Sequence, residues 1–130
     1  MSDVDNLKTT FEQMVAAIDR RDAKAYAAFW HDQIVSFPPL SPFAMDGSAT
    51  MRQLVEGYFS SVESESFAPI APQYRVAAST GIVWGHAATT LKPKDGPLRT
   101  FFVRFTFTFT KTEDQWRLLL IHVSLMPAGG

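Results

Sequence analysis

His122 and Ser124 stand two residues apart near the end of the apolar run Trp116–Leu125. Simple alternation puts them on one strand face, together with Trp116, Leu118 and Leu120. An imidazole can gain or lose a proton near neutral pH, so His122 is a candidate general base or ligand donor in a polar corner. The other reading is a structural histidine at a subunit contact, since no carboxylate in the sequence is placed to orient it. Trp84 and His86 share a face in the same way. There Trp84 could floor an apolar pocket with His86 as its polar tip, or the two could form an interface pair. Arg104 is the one charge within the alternating Phe/Thr run. Its phase is opposite to that of Phe105 and Phe107, so it turns to an outer, subunit-facing side if the phenylalanines meet the helices. With the faces reversed it would bind a carboxylate. Tyr58 and Trp30 end helical stripes and suit a pocket wall or the core.

Composition removes several chemistries. The chain has no Cys, so disulfides, thiolate catalysis and Cys-ligated metals are excluded. Its three histidines, His31, His86 and His122, are scattered, and neither a metal nor a cofactor is expected. Lys and Arg number 12 against 13 Asp and Glu, which leaves no electrostatic footprint for nucleic acid or an anionic membrane. No apolar run reaches the roughly 18 residues of a spanning helix. Nothing at the start reads as a signal peptide, and a cytoplasmic location is expected. With 130 residues, one domain over residues 1–130 is expected.

The elements that must position these side chains follow from periodicity. Leu7, Phe11, Met14, Val15 and Ile18 make one stripe of an amphipathic helix over residues 3–20. Asp22 caps a second, short helix, Ala23–Trp30. His31–Phe37 reads as a short strand ended by Pro38, Pro39 and Pro42. The following loop to Gly47 carries Leu40, Phe43 and Met45, enough apolar surface to suggest a cover. Ser48 caps a third helix, Ala49–Ser61, with the stripe Met51, Leu54, Val55, Tyr58 and Phe59. Val62–Pro72 reads as a polar, proline-punctuated crossover, Gln73–Ala78 as a strand with an alternative start near Phe67, and Ile82–Lys92 as a strand. Lys94–Asp95–Gly96–Pro97 is a hairpin turn. Two long strands follow, Leu98–Thr110 and Trp116–Leu125, joined by Lys111–Gln115. The whole is an α+β pattern of three N-terminal helices on a strongly curved antiparallel sheet. Such a sheet forms a cone with a central pocket.

The segments WHDQIVSFPP, DGSATMRQLVEGYF, GIVWGHAATT, RFTFTFT and WRLLLIHVS, in this order, resemble the SnoaL-like, ketosteroid-isomerase-like superfamily. Its cystatin-like cone is shared with nuclear transport factor 2 and with the association domain of calmodulin-dependent kinase. The resemblance covers nearly the whole chain and implies the fold far more than the chemistry. Ketosteroid isomerases use a tyrosine on the first helix, an aspartate before the proline ending the first strand, and a later buried aspartic acid. Met14 and Phe37 stand at the first two positions, and no Asp or Glu lies between Pro97 and Thr112. Steroid isomerase activity is therefore not expected. The late-strand aspartate of the cyclases is matched only by Glu113 and Asp114 in a turn, and the acid–Arg–acid set of the epoxide hydrolases has no match.

Two functions fit. One is an isomerase-, cyclase- or hydrolase-like protein binding a small apolar or aromatic molecule in the cone. His122 would be its acid/base, with Trp30, Tyr58, Trp84, His86, Arg104 and Ser124 as ligand-binding residues. The other is a non-catalytic dimerisation, assembly or accessory module whose pocket is filled by side chains. In both, the apolar second face of the Phe/Thr strand implies a homodimer through the sheet.

Overall fold

The Phe/Thr run becomes the centre of the sheet because its alternation lets one face be wholly apolar. It forms β5, Arg99–Thr112, in which Val103, Phe105, Phe107 and Phe109 are each at most 3% exposed. Arg104 and Thr106, in the opposite phase, are exposed. β5 pairs antiparallel with β4 (Thr80–Pro93) on one side and β6 (Gln115–Leu125) on the other. β3 (Val62–Ala77) forms one edge beyond β4. β1 (Trp30–Phe37) and the two-residue β2 (Met45–Asp46) complete the other side. The order is β2-β1-β6-β5-β4-β3 in a curved, unclosed sheet. The β1–β6 pair is parallel and the other pairs are antiparallel. The computed structural model describes residues 2–127.

The inner face of the sheet is covered by α1 (Asp3–Asp19), α2 (Ala23–Ala27) and α3 (Ser48–Ser61). Ser2 caps α1 by accepting from the Asp5 N–H at 3.1 Å, and Asp22 caps α2 through the Ala25 N–H at 3.0 Å. Leu7, Phe11, Met14 and Ile18 of α1 are buried, as their spacing predicts. Aromatic rings fill the space between α1 and the sheet. Phe11 stacks on Phe105 with centroids 5.8 Å apart, and Phe67 packs edge-on against Phe105 at 5.3 Å. Among the described residues, no helix is long and apolar enough to cross a membrane.

Several local expectations are corrected. Val62–Pro72 is not a crossover: it is the first two-thirds of β3, which leaves α3 directly. Its prolines are tolerated because β3 is an edge strand and needs ladder hydrogen bonds on one side only. A register shift between Ile70 and Gln73, with Ala71 at φ 46°, absorbs the second proline. The second helix stops at Ala27, and Trp30 begins β1 instead of ending a helix. Gly47, at φ 91°, precedes α3, and no side chain caps it. The stripe of α3 is narrower than expected: Met51, Val55 and Phe59 are buried, whereas Leu54 and Tyr58 are 51% and 38% exposed. The apolar loop after β1 does not cover the core with its tip, since Leu40 and Phe43 are 65% and 76% exposed.

The largest correction concerns β6. Phe109 pairs with Leu118 and Thr108 with Leu120, so Leu119 is an extra residue on β6. This β-bulge reverses the alternation. Trp116 and Leu118 point inward before it, and Ile121 points inward after it. His122 consequently lies on the face opposite to Trp116 and Leu118, and it is exposed.

Candidate functional site

A half-buried carboxyl group on β3 defines the strongest site. Glu65 shares its strand face with Phe67, two residues on, and both turn toward the helices. One of its carboxylate oxygens, Oε2, is buried without a hydrogen-bond partner. Burial pushes the Glu65 carboxyl up to about 7. Tyr58 favours the charged form by hydrogen bonding, Asp19 opposes it, and Arg21 supports it.

Each neighbour is placed by a different element. Tyr58 comes from α3. Burial raises its phenol, and the nearby Glu65 charge raises it further. Tyr26, from α2, is buried and is raised for the same two reasons, in the same order. Its ring meets Trp30, from β1, edge-on at 5.1 Å and lies 6.3 Å from Phe59. The Trp30 Nε1–H is itself buried without an acceptor. The end of α1 is fastened to β3 here. Asp19 accepts from the Phe67 N–H at 2.8 Å, and Arg21 donates to the Val62 carbonyl at 2.8 Å. Two contacts thus lock the strand that carries Glu65 and set one negative and one positive charge near it. The site combines a proton acceptor poised near neutrality, an unpartnered indole donor, two tyrosines and an aromatic wall. Chemically, such a carboxyl can accept and return a proton near neutral pH.

The structure divides the sequence-derived residues between two places. Trp30 and Tyr58 come together in the cluster around Glu65. Trp84, His86, Arg104, His122 and Ser124 come together on the outer sheet face. There His86 is opposite Arg104 and Arg104 opposite Ser124, while Trp84 is opposite Thr106 and Thr106 opposite His122. The His122 ring lies 5.4 Å from that of Phe37. Sequence reading misses Glu65 because its segment passes for a crossover. The signal is present: Glu65 is in phase with Phe67, and a carboxylate in phase with a buried aromatic on a strand faces the core. Among the described residues, no three His, Asp or Glu side chains converge as a metal site requires.

Comparison with known proteins agrees with this architecture. The sequence profile of the SnoaL-like domain matches residues 7–129. No curated protein matches the chain. A proposed dehydratase of the nuclear transport factor 2-like family from Streptomyces avermitilis superposes with a TM-score of 0.88. It is 20% identical, over 97% of each chain. A proposed aromatic ring hydroxylase from Novosphingobium aromaticivorans gives 0.87 at 17% identity, covering 98% of this chain and 92% of its own. A proposed calcium/calmodulin-dependent kinase association domain from Xanthomonas campestris gives 0.82 at 18% identity, covering 95% and 87%. At these identities the likeness concerns the fold. With helices on an open curved sheet and a family profile spanning nearly all of its length, the chain has the fold of nuclear transport factor 2-like proteins and belongs to the SnoaL-like domain family.

Proposed function

We propose that the protein binds a small apolar or aromatic molecule beside Glu65 and transfers a proton on it, with Glu65 as the acid/base group. The observation that carries this reading is the buried, unpartnered Glu65 oxygen among Tyr26, Trp30 and Tyr58. A carboxyl poised near neutrality accepts a proton from a carbon or oxygen acid and returns it with little bias either way. Trp30 or a tyrosine would donate a hydrogen bond to the substrate oxygen on which charge develops. The proposed dehydratase and aromatic ring hydroxylase among the structural relatives support a small-molecule role. The test is α-proton exchange of a small aryl ketone such as tetralone in D2O, followed by proton NMR. The protein is expected to accelerate exchange, and Glu65→Gln to slow it by about 100-fold or more. Equal rates in the two proteins would remove Glu65 from the role.

The aromatic packing of the interior favours a second reading, a non-catalytic module whose cone is filled by its own side chains. Ketone exchange at the background rate would select it. Either way, we propose a homodimer through the outer sheet face, where Phe37, Ile70 and Phe102 are 44%, 51% and 54% exposed. Light scattering at micromolar concentration is expected to give the mass of two chains, and Phe102→Lys to give one. A wild-type mass of one chain would refute the dimer.

A further inference from the structure

The outer face of the sheet carries an unusual charge pattern. β4, β5 and β6 contain no Asp or Glu, yet Arg75, His86 and Arg104 converge there around Trp84. They line a groove of about 450 Å³, completed by Ile82 and Thr106. The Arg75 guanidinium lies 5.2 Å from the centre of the Trp84 ring. This contact fixes the cation without neutralising it. Arg104 projects from the facing strand, with His86 directly opposite. Among the described residues, neither arginine pairs with a carboxylate or makes a side-chain hydrogen bond. Two guanidinium groups beside an indole and an isoleucine thus present up to ten N–H donors and a flat apolar wall, with no carboxylate among the residues that line the groove.

We infer that this groove is a binding site for a small aromatic carboxylate, held between Arg104 and Arg75 with its ring against Trp84 and Ile82. The carboxylate matches the fork of a guanidinium, which presents two parallel donors to two oxygens. The ring matches the apolar wall. Pairing of two copies across this face supplies a second argument. A two-fold interface sets equivalent surfaces against each other, so the cations of one copy would approach those of the other. β4, β5 and β6 hold no acidic residue to offset that repulsion, and a bound anion does.

The site is independent of Glu65, and the experiment separates the two. Benzoate and its neutral analogue benzyl alcohol are titrated by calorimetry at low ionic strength into wild type, Arg104→Gln, Arg75→Gln and Glu65→Gln. Circular dichroism confirms that each variant is folded, and both arginines are exposed, so their removal leaves the core intact. Benzoate is expected to bind wild type and Glu65→Gln equally, and Arg104→Gln and Arg75→Gln each about 10-fold or more weakly. Benzyl alcohol is expected to bind at least about 10-fold more weakly than benzoate. Benzoate affinity unchanged in Arg104→Gln, lost in Glu65→Gln, or equalled by benzyl alcohol overturns the inference.

Discussion

Glu65→Gln is expected to stabilise the protein at pH 8 and to leave its stability unchanged at pH 4. The carboxyl is held near 7 in the folded chain, against an ordinary value of 4.5. Below 4.5 both the folded and the unfolded chain keep the proton. Between 4.5 and 7 the unfolded chain has released it and the folded chain has not. Stability therefore falls as pH rises through this window, and the deficit is complete above 7. Its size is about 3 kcal/mol, because each tenfold difference in proton affinity between the two states is worth about 1.4 kcal/mol. Glutamine keeps the shape of the neutral acid without the ionisation. Urea unfolding of both proteins at pH 4, 6 and 8 reads the effect. A stability difference that does not change with pH would show that Glu65 is not held as the acid. Under the proposed role, proton transfer by Glu65 is expected to rise with pH through about 7, where the residue also costs the fold most. A group that destabilises its own fold while serving chemistry is a familiar trade.

Phe11→Ala should be the most damaging substitution on α1, lowering stability by about 3–5 kcal/mol. Phe11 is 1% exposed and lies where α1 meets β3 and β5. It stacks on Phe105 at 5.8 Å with planes only 11° apart, and meets Tyr74 edge-on at 6.0 Å and Phe107 at 5.8 Å. Removing the ring leaves a hole whose walls are themselves rigid aromatics on paired strands, so the site can collapse little. Leu54→Ala, on the outward ridge of α3, provides the contrast and should change stability by less than about 1 kcal/mol. Chemical unfolding of the two variants side by side makes the comparison. Similar losses would mean that the interior is not organised around Phe11.

The parts of the fold readable from sequence are those with an uninterrupted period. The stripe of α1, the Phe/Thr alternation of β5 and the final hairpin all emerge from spacing alone. The hairpin turns on Glu113 and Asp114, both in the left-handed region at φ 51° and 63°. Legibility fails where one residue breaks a period. Leu119 does so in β6, and Ala71 does so in β3 with Pro69 and Pro72 around it. Whether a proline ends a strand or merely marks an edge depends on which side has a neighbour. That is a property of the assembled sheet, not of the local sequence. The site inherits both failures. Strict alternation carries His122 across the bulge onto the wrong face. Glu65 sits in a segment that does not read as a strand. Trp30 and Tyr58 are legible as wall residues, but their partner is not.

The extra residue at Leu119 also makes β6 tolerant of a change in its own length. Without Leu119, Leu118 and Leu120 would be direct neighbours, still opposite Phe109 and Thr108, and every other side chain of the strand would keep its face. Ile121 would stay under the helices, and His122 and Ser124 would stay outside. The same loss in a regular strand has the opposite outcome. Removing Thr106 from β5 would turn Phe107 outward and bring Thr108 in, exchanging the faces from there on. A single lost codon is therefore nearly silent at one point of the sheet and ruinous on the neighbouring strand. Relatives one residue shorter at Leu119 would carry the same interior, and a gap there would mark a straightened strand and not a rebuilt core.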